Sequence, residues 1–288
     1  MDSETDQNQD VSETSEDKKS FDPNSFLGTL VVAVVLCLVC SFVVSTAAVG
    51  LRPMQQKNQK NKQQRNVLIA AGIWEEDKHT DAKIPELFEN IETIAVNLPG
   101  RGKDLPEAGA VNGDVDLKSY NQLKASKDPE QSIIIGEADV AGIKRREAVS
   151  LVYLIKDKSG ELETIVLPIY GKGLWSTLYG YLALEADART VKGITFYKHG
   201  ETPGLGGEVD NPKWKAKWPG KVVVDESGKP IIEVTKPGAA SEDYQVDGLS
   251  GATITSAGVE KTIDYWLGND AFGPFLDKYR DAETASAE

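Results

Sequence analysis

The chain has 288 residues, of which 40% are hydrophobic and 27% charged, and its formal net charge at pH 7 is -13. This length and apolar content allow one sizeable core with appendages. The acidic balance argues against a nucleic-acid partner, because phosphate backbones are bound by basic surfaces. No zinc-finger spacing, P-loop or HExxH motif is present in the sequence, so those classes of site are excluded.

The first 51 residues divide into two parts. Residues 1–25 are polar and acidic, which predicts a disordered tail. Residues 26–51 contain no charged residue and exceed the ~20 residues that span a bilayer, so we predict a transmembrane helix. A cleaved signal peptide is the alternative, since Ser45-Thr46-Ala47 resembles a cleavage site. The segment is too long, and the region before it too acidic, for a typical signal.

Both cysteines, Cys37 and Cys40, lie within the predicted membrane helix. The rest of the chain is therefore free of thiols, which suits an oxidising compartment. Their i, i+3 spacing puts them on one helix face, where a metal-ligand pair is conceivable. Packing of small residues between helices is the favoured alternative, and we predict no metal site.

Residues 52–72 predict a stalk helix whose far end docks on the folded domain. The segment begins with polar helix formers and ends in the apolar residues 67–72. Basic residues are more numerous after the membrane helix than before it, where only Lys18 and Lys19 occur. The positive-inside rule would therefore place the large C-terminal part in the cytoplasm. The basic residues that follow the helix are Arg52, Lys57, Lys60, Lys62 and Arg65.

The remaining patterns predict an α+β domain over residues 73–276 that combines an antiparallel sheet with flanking helices. Pro85 indicates a helix start with an apolar face of Leu87, Phe88 and Ile91, and a strand is expected near residues 93–98. Residues 99–131 predict a long surface excursion. Three hairpins follow, pairing residues 148–155 with 162–167, 179–186 with 191–197, and 222–224 with 231–234. We expect residues 277–288 to form a flexible tail.

A turn of small and hydroxyl residues, residues 247–256, precedes a predicted helix that ends near Leu267. Val259, Ile263, Trp266 and Leu267 recur at helical spacing and give this helix one apolar face. Ser256 or Thr255 is expected to cap its start. The leading N–H groups and the dipole of a helix favour an anion, so the turn suits a phosphate. A capped helix after an ordinary turn is the alternative, because Ser and Thr caps are common.

Two glycine-containing loops precede this turn. Residues 168–180 include Gly171 and Gly173, which match only part of GxGxxG, so a dinucleotide fingerprint is rejected. Trp175 in this segment is expected either in the core or in the wall of a cofactor site. The second loop, Glu201-Thr202-Pro203-Gly204-Leu205-Gly206, is by itself only a turn.

Three motifs in order resemble the C subunit of the sodium-translocating NADH:quinone reductase. They are the Ser-Gly-Ala-Thr-x-Thr flavinylation motif at residues 250–255, the Pro-Ile-x-Gly-x-Gly-Leu-Trp segment at residues 168–175, and the Glu-Thr-Pro-Gly-Leu-Gly loop at residues 201–206. The resemblance implies FMN held covalently by a phosphoester to Thr255, with no catalytic residue. It further implies cofactor contacts from Trp175, Ser176, Glu201, Thr202, Gly204, Leu205, Gly206, Ser250, Gly251, Ala252 and Thr253.

The same resemblance implies an electron-transfer subunit of a cytoplasmic-membrane complex, with the other subunits as partners. A flavin transferase that uses FAD and Mg²⁺ would load Thr255 after export, which places the soluble domain in the periplasm. This side of the membrane conflicts with the positive-inside rule. The acidic tail and the basic stalk are departures from the family pattern.

Two alternatives stay open. The G subunit of the ferredoxin:NAD oxidoreductase complex shares the loop and the turn, although the Gly-Leu-Trp segment favours the quinone reductase. A membrane-anchored binding or assembly module without flavin is the other. A hydrolase has little support, because His79 and His199 have no nucleophile motif nearby.

Overall fold

The structure is a computed structural model that describes residues 23, 25–75, 77–100 and 106–287, with side chains as far as Asp281. Apart from residues 23 and 25, the predicted acidic tail lies outside the described residues. The helices are α1 (Phe26–Ala70), α2 (Ile84–Phe88), α3 (Gln122–Ala125), α4 (Pro212–Lys215), α5 (Thr253–Leu267) and α6 (Gly273–Ala287). The strands are β1 (Ile91–Asn97), β2 (Ser132–Ile134), β3 (Arg145–Glu147), β4 (Val149–Lys156), β5 (Leu162–Lys172), β6 (Thr177–Glu185), β7 (Val191–Lys198), β8 (Glu233–Thr235) and β9 (Gln245–Asp247).

The predicted apolar helix is present as the first part of α1. It reaches a mean hydropathy of 2.9 over an 18-residue window, which by length and composition is enough to cross a membrane. The chain divides into two compact units, residues 1–58 and residues 59–288. The last part of α1 therefore belongs to the second unit, where Val67, Leu68 and Ala70 are fully buried.

The second unit is built on a five-stranded antiparallel sheet in the order β1-β4-β5-β6-β7. Both faces of the sheet are buried, and side chains alternate between them as the pleat requires. On β5, Ile165 and Leu167 contribute to one hydrophobic cluster, whereas Val166 contributes to the other. The sheet therefore forms the middle layer of an α+β domain, as the sequence predicts.

Each face is covered by a helix that approaches closely at a glycine. The end of α1 covers one face, where a Cβ atom at Gly193 of β7 would lie 2.3 Å from the carbonyl oxygen of Ala70. The amphipathic helix α5 covers the other, and Val259, Ile263 and Trp266 are fully buried there. The predicted apolar face of α5 is confirmed.

Four local predictions need correction. Ile91 begins β1 and is not part of α2. The third predicted hairpin is reduced to a bridge between Val224 and Pro230, and β8 pairs instead in parallel with β9. The predicted surface excursion, residues 99–131, contains the short helix α3. This helix is fixed to the domain, because Gln122 Nε2 donates to the buried carboxylate of Glu147 at 2.6 Å. Residues 101–105 lie outside the described residues.

The fourth correction concerns the predicted tail at residues 277–288. Helix α6 continues through this segment to Ala287. Arg280 is 9% exposed, and its Nη1 donates to the carbonyl oxygen of Ala188 at 3.3 Å. Pairing with a buried carbonyl ties this part of α6 to the domain.

Candidate functional site

The hydroxyl-rich turn leads directly into α5. The helix begins at Thr253, and its N-cap residue is Ala252, which makes no side-chain capping hydrogen bond. The predicted cap by Thr255 or Ser256 is therefore wrong, since both residues lie inside the first helical turns. Ser256 Oγ instead accepts a hydrogen bond from the backbone N–H of Leu249 at 2.9 Å, which holds the turn against the helix.

Thr255 is paired with a carboxylate from a distant loop. Its Oγ1 donates to Oε2 of Glu201 at 2.7 Å, and both residues are buried, with exposures of 1% and 5%. The other hydroxyl residues of the same motif, Ser250 and Thr253, are exposed. The threonine that the motif singles out is thus the one with a buried, charged partner.

Segment 174–176 holds the Glu201 carboxylate from the other side. The backbone N–H of Leu174 donates to Oε2 at 3.2 Å, and those of Trp175 and Ser176 donate to Oε1 at 3.0 Å each. Ser176 Oγ adds a fourth contact at 3.2 Å. Burial works to raise the pKa of the Glu201 carboxyl, but the hydrogen bonds from Thr255 and from these backbone groups outweigh it, and the pKa lies below its ordinary value.

The loop of residues 201–206 covers Thr255. Gly206 is buried, and a Cβ atom there would lie 2.6 Å from Thr255 Oγ1 and 2.8 Å from Glu201 Oε2. Gly204 has a φ of 76°, a conformation that glycine adopts at little cost. The carbonyl oxygen of Thr202 closes the loop by accepting from the N–H groups of Leu205 at 3.1 Å and Gly207 at 2.9 Å.

His199 anchors the start of this loop. Its Nδ1 accepts from the backbone N–H of Glu201 at 3.2 Å, so its Nε2 carries the proton that is donated to Asp210 Oδ2 at 2.8 Å. Both ring nitrogens are thereby engaged in holding the loop, and neither contacts a serine hydroxyl. His199 therefore fixes the position of the first residue of the loop.

Exposed apolar side chains surround the Glu201–Thr255 pair. Trp175 is 67% exposed, Ile254 60%, Leu205 44% and Leu174 41%, and we call these four residues the apolar rim. Each lies in a segment that meets at the pair. Of the two predicted placements of Trp175, the structure therefore rules out the one in the core.

The structure brings most of the predicted site residues together. Glu201, Ser176 and Thr255 are hydrogen-bonded, and a Cβ atom at Gly251 would lie 3.0 Å from Leu205 Cδ2, so the loop and the turn are in contact. Thr202 contributes through its backbone, and its side chain is exposed. Ala252 is buried as the N-cap residue. The sequence did not identify Leu174 and Ile254, although both lie within the same motifs.

These features fit a flavin phosphate in shape and chemistry. The leading N–H groups of α5 suit a phosphate, and the apolar rim suits a planar ring. At Gly204 nothing lies within 4 Å of the position of a Cβ atom, so the loop leaves open space there. Thr255 itself is covered by Gly206, so attachment to its hydroxyl requires the loop to move. Among the described residues, no cluster of three or more His, Cys, Asp or Glu side chains is placed to hold a metal ion.

Known proteins share this fold and are similar in sequence. A family model described as FMN-binding domain matches residues 173–268, which contain the Glu201–Thr255 pair and the whole apolar rim. The crystal structure of Shewanella oneidensis NqrC is similar with a TM-score of 0.69 and 34% sequence identity, covering 77% of this chain and 99% of that one. The Na(+)-translocating NADH-quinone reductase C subunit from Parabacteroides distasonis gives a TM-score of 0.59 at 25% identity, covering 78% and 96%. The fold and site therefore define an FMN-binding domain protein.

Relatives that match about nine-tenths of the chain identify the family within this class. The C subunit of the Na(+)-translocating NADH-quinone reductase from Vibrio anguillarum is 47% identical over 90% of this chain and 96% of its own length. The same subunit from Pseudomonas aeruginosa is 46% identical over 88% and 96%, and that from Yersinia pestis 43% over 88% and 92%. The chain belongs to the C-subunit family of the Na(+)-translocating NADH-quinone reductase.

Proposed function

We propose that this chain is the electron-transfer C subunit of a sodium-translocating NADH:quinone reductase and that it carries FMN through a phosphoester to Thr255. Bound FMN supplies electron transfer in steps of one or two electrons. The chain itself binds and orients the cofactor, and it is not catalytic alone. Family membership favours this complex over the ferredoxin-linked alternative.

The observation that carries the proposal is the placement of Thr255. It is the third residue of α5, its hydroxyl donates to a buried carboxylate, and the apolar rim surrounds it. A phosphate joined to Oγ1 would lie at the positive end of the helix dipole, where the N–H groups of the first turn lack intrahelical partners. The proposed attachment atom, Thr255 Oγ1, therefore lies at the end of α5 whose dipole favours a phosphate.

The apolar rim supports a position for the ring. Without a bound ring, the apolar side chains of Trp175, Leu205 and Ile254 are exposed to water. A planar ring laid on these side chains removes that surface from solvent. Gly204 and Gly206 let the loop backbone approach the polar edge of the ring, and the hydrogen bond to Glu201 fixes the backbone at Trp175.

The membrane and assembly partners follow from the family and from α1. We propose a single-pass protein of the inner membrane, anchored by the apolar part of α1, with the FMN-binding domain in the periplasm. Its partners are the other subunits of the complex, and a flavin transferase that uses FAD and Mg²⁺ loads Thr255. The basic residues after the membrane helix argue instead for a cytoplasmic domain. Labelling of a cysteine introduced at Ser159 in intact cells tests on which side of the membrane the domain lies.

Covalent attachment is tested by expressing the full chain with a flavin transferase. The purified protein is run on a denaturing gel, flavin fluorescence is recorded, and the peptide spanning residues 250–261 is examined by mass spectrometry. We expect a fluorescent band and a peptide whose mass is increased by one FMN phosphoester. Thr255→Val should abolish both.

Thr253→Val is the matched variant, because it removes the exposed threonine of the same motif. It should keep a covalent band if Thr255 is the acceptor. An unlabelled wild-type chain, or an equally labelled Thr255→Val variant, contradicts the proposed attachment. A folded protein that remains colourless while a known relative is labelled in parallel would favour the binding or assembly module.

A further inference from the structure

We propose that Glu201 is the proton acceptor in the modification of Thr255, so that the chain supplies a catalytic group for its own flavin loading. This inference rests on the proposed function, because it concerns the same hydroxyl. It adds a chemical role to a residue that the sequence motif indicated only as a loop anchor or cofactor contact. The transferase would then need to deliver and polarise the flavin donor without being the sole source of a base for threonine.

The geometry meets the first requirement for such a role. A proton acceptor must lie within about 2.6–3.2 Å of the atom that gives up the proton, and Glu201 Oε2 lies 2.7 Å from Thr255 Oγ1. Threonine donates its only proton in this hydrogen bond. The lone pairs of Oγ1 are therefore the part of the hydroxyl left to attack an electrophile.

Segment 174–176 holds the Glu201 carboxylate without hydrogen bonds from residues 202–206, the part of the loop that covers Thr255. The anchors are the N–H groups of Leu174, Trp175 and Ser176, all outside residues 202–206. The covering contact comes from Gly206, two residues after Gly204, whose φ of 76° glycine adopts at little cost. In the proposed step residues 202–206 move aside and expose Oγ1, while segment 174–176 keeps Glu201 paired with it.

The charge state is suited to proton transfer at neutral pH. Hydrogen bonds from Thr255 and the backbone hold the pKa of Glu201 below its ordinary value against the effect of burial, so the group is ionised before the reaction. A carboxylate of low pKa is a weak base. It accepts the proton once the bond from oxygen to phosphorus has largely formed and the hydroxyl has become acidic.

The step balances without any oxidant or reductant. The donor is a flavin dinucleotide, which carries a pyrophosphate. The Oγ1–H bond of Thr255 and the bridging P–O bond of the pyrophosphate break, and a bond forms between Oγ1 and the flavin-side phosphorus. The nucleoside monophosphate leaves, and the proton passes to Oε2 of Glu201, from which solvent removes it when the loop is open.

A purely structural role is the competing explanation, because Glu201 also ties segment 174–176 to its own loop. The test uses the full chain in detergent with purified flavin transferase, FAD and Mg²⁺. The initial rate of mass increase in peptide 250–261 is measured together with the thermal unfolding midpoint of the unloaded chain. The variants are Glu201→Gln, which is isosteric but uncharged, and Glu201→Asp, which keeps the charge on a shorter side chain.

The matched control is Glu226→Gln. It makes the same change at an exposed carboxylate outside the loop, the turn and segment 174–176. We expect Glu201→Gln to load at least about tenfold more slowly than wild type, since a positioned proton acceptor contributes about 10²–10⁴-fold. Glu226→Gln should stay within about twofold, and Glu201→Asp should fall between the two because its carboxylate is withdrawn from Oγ1.

The outcomes separate the two proposals. A folded Glu201→Gln protein that loads within about threefold of wild type overturns the role of Glu201 and leaves the attachment to Thr255 intact. If that variant does not fold, Glu201→Asp decides: a wild-type loading rate overturns the role, and a slowed rate with an unchanged unfolding midpoint supports it. A wild-type chain that never gains mass at Thr255 refutes the proposed function, and the role of Glu201 with it.

Discussion

Gly258 of α5 lies directly against the carbonyl oxygen of Lys172 at the end of β5, and a Cβ atom there would lie only 2.3 Å from that oxygen. The same crossing includes Gly171, where a Cβ atom would lie 1.9 Å from Thr262 Oγ1. Because glycine has no side chain, the backbones of α5 and β5 approach each other closely at this crossing. This contact sets the height of α5 above the sheet and with it the position of Thr255.

Gly258→Ala should therefore destabilise the domain, although alanine favours a helix by about 1 kcal/mol over glycine. Overpacking against a backbone atom costs about 1–3 kcal/mol, and we expect a net loss in the free energy of unfolding within that range. Chemical denaturation of the full chain in detergent measures it. Gly113→Ala is the control, because nothing lies within 4 Å of a Cβ atom there. Equal stability of the two variants would contradict this packing.

Asp264 should make stability depend on pH. Burial, assisted by the nearby charge of Glu260, raises the pKa of Asp264 from 3.8 to about 6. Between these values the folded state binds more protons than the unfolded state, so stability falls as pH rises from about 4 to about 6. The full penalty is present at pH 7, and for this half-buried group we expect about 1–2 kcal/mol after allowance for solvent screening.

Asp264→Asn removes that penalty. The variant should be more stable than wild type at pH 7 by the same amount, and the difference should vanish near pH 4. Thermal unfolding at a series of pH values measures both. Asp243→Asn, which changes an exposed carboxylate, should show no comparable gain. A gain for Asp264→Asn that persists unchanged to pH 4 would argue against titration of this group.

Arg146 joins parts of the chain that are far apart in sequence. It is 2% exposed, and its guanidinium donates to Tyr265 Oη at 2.8 Å and to the carbonyl oxygens of Glu147 at 2.8 Å, Asp270 at 2.7 Å and Pro99. An ammonium group cannot match these directions, so Arg146→Lys leaves buried acceptors unpaired. We expect a loss of about 2–4 kcal/mol in the free energy of unfolding, because hydrogen bonds to charged groups contribute about 1.5–3 kcal/mol each.

The neighbouring Arg145→Lys is the control for that substitution. Arg145 is only half-buried, and its replacement should change stability by no more than about 0.5 kcal/mol. Urea denaturation of both variants under one set of conditions makes the comparison. Similar midpoints for the two would show that the buried hydrogen bonds of Arg146 contribute little.

Trp175 should contribute to the stability of the protein that carries FMN and not to that of the protein without it. At 67% exposure, its replacement by alanine should change the stability of the unloaded chain by less than about 0.5 kcal/mol. If the flavin ring packs on it, the loaded variant should lose about 0.5–1.5 kcal/mol of the stabilisation that the cofactor brings. Unfolding of loaded and unloaded protein measures the difference. Ile134→Ala, at another exposed apolar residue, should affect both forms equally.

Sequence patterns were sufficient where the information is local. The spacing of Val259, Ile263 and Trp266 predicts the buried face of α5, and the hairpin of β4 with β5 follows from strand-forming runs around a short turn. The prediction of a flexible tail from residue 277 is wrong at Arg280, because its hydrogen-bond partner, the carbonyl of Ala188, is distant in the chain. The third hairpin failed because β8 finds a parallel partner in β9, which strand propensity alone does not specify.

The sequence by itself determined the kinds of group at the site: a threonine in a hydroxyl-rich turn, glycines in a loop, and aromatic and aliphatic residues in the same motifs. Only the tertiary structure decided that Thr255 and Glu201, 54 positions apart, share a hydrogen bond, and that Trp175 faces solvent. The reason is physical. Composition and periodicity report the preferences of neighbouring residues, whereas a contact across the chain depends on strand order, on register and on how closely α5 approaches β5.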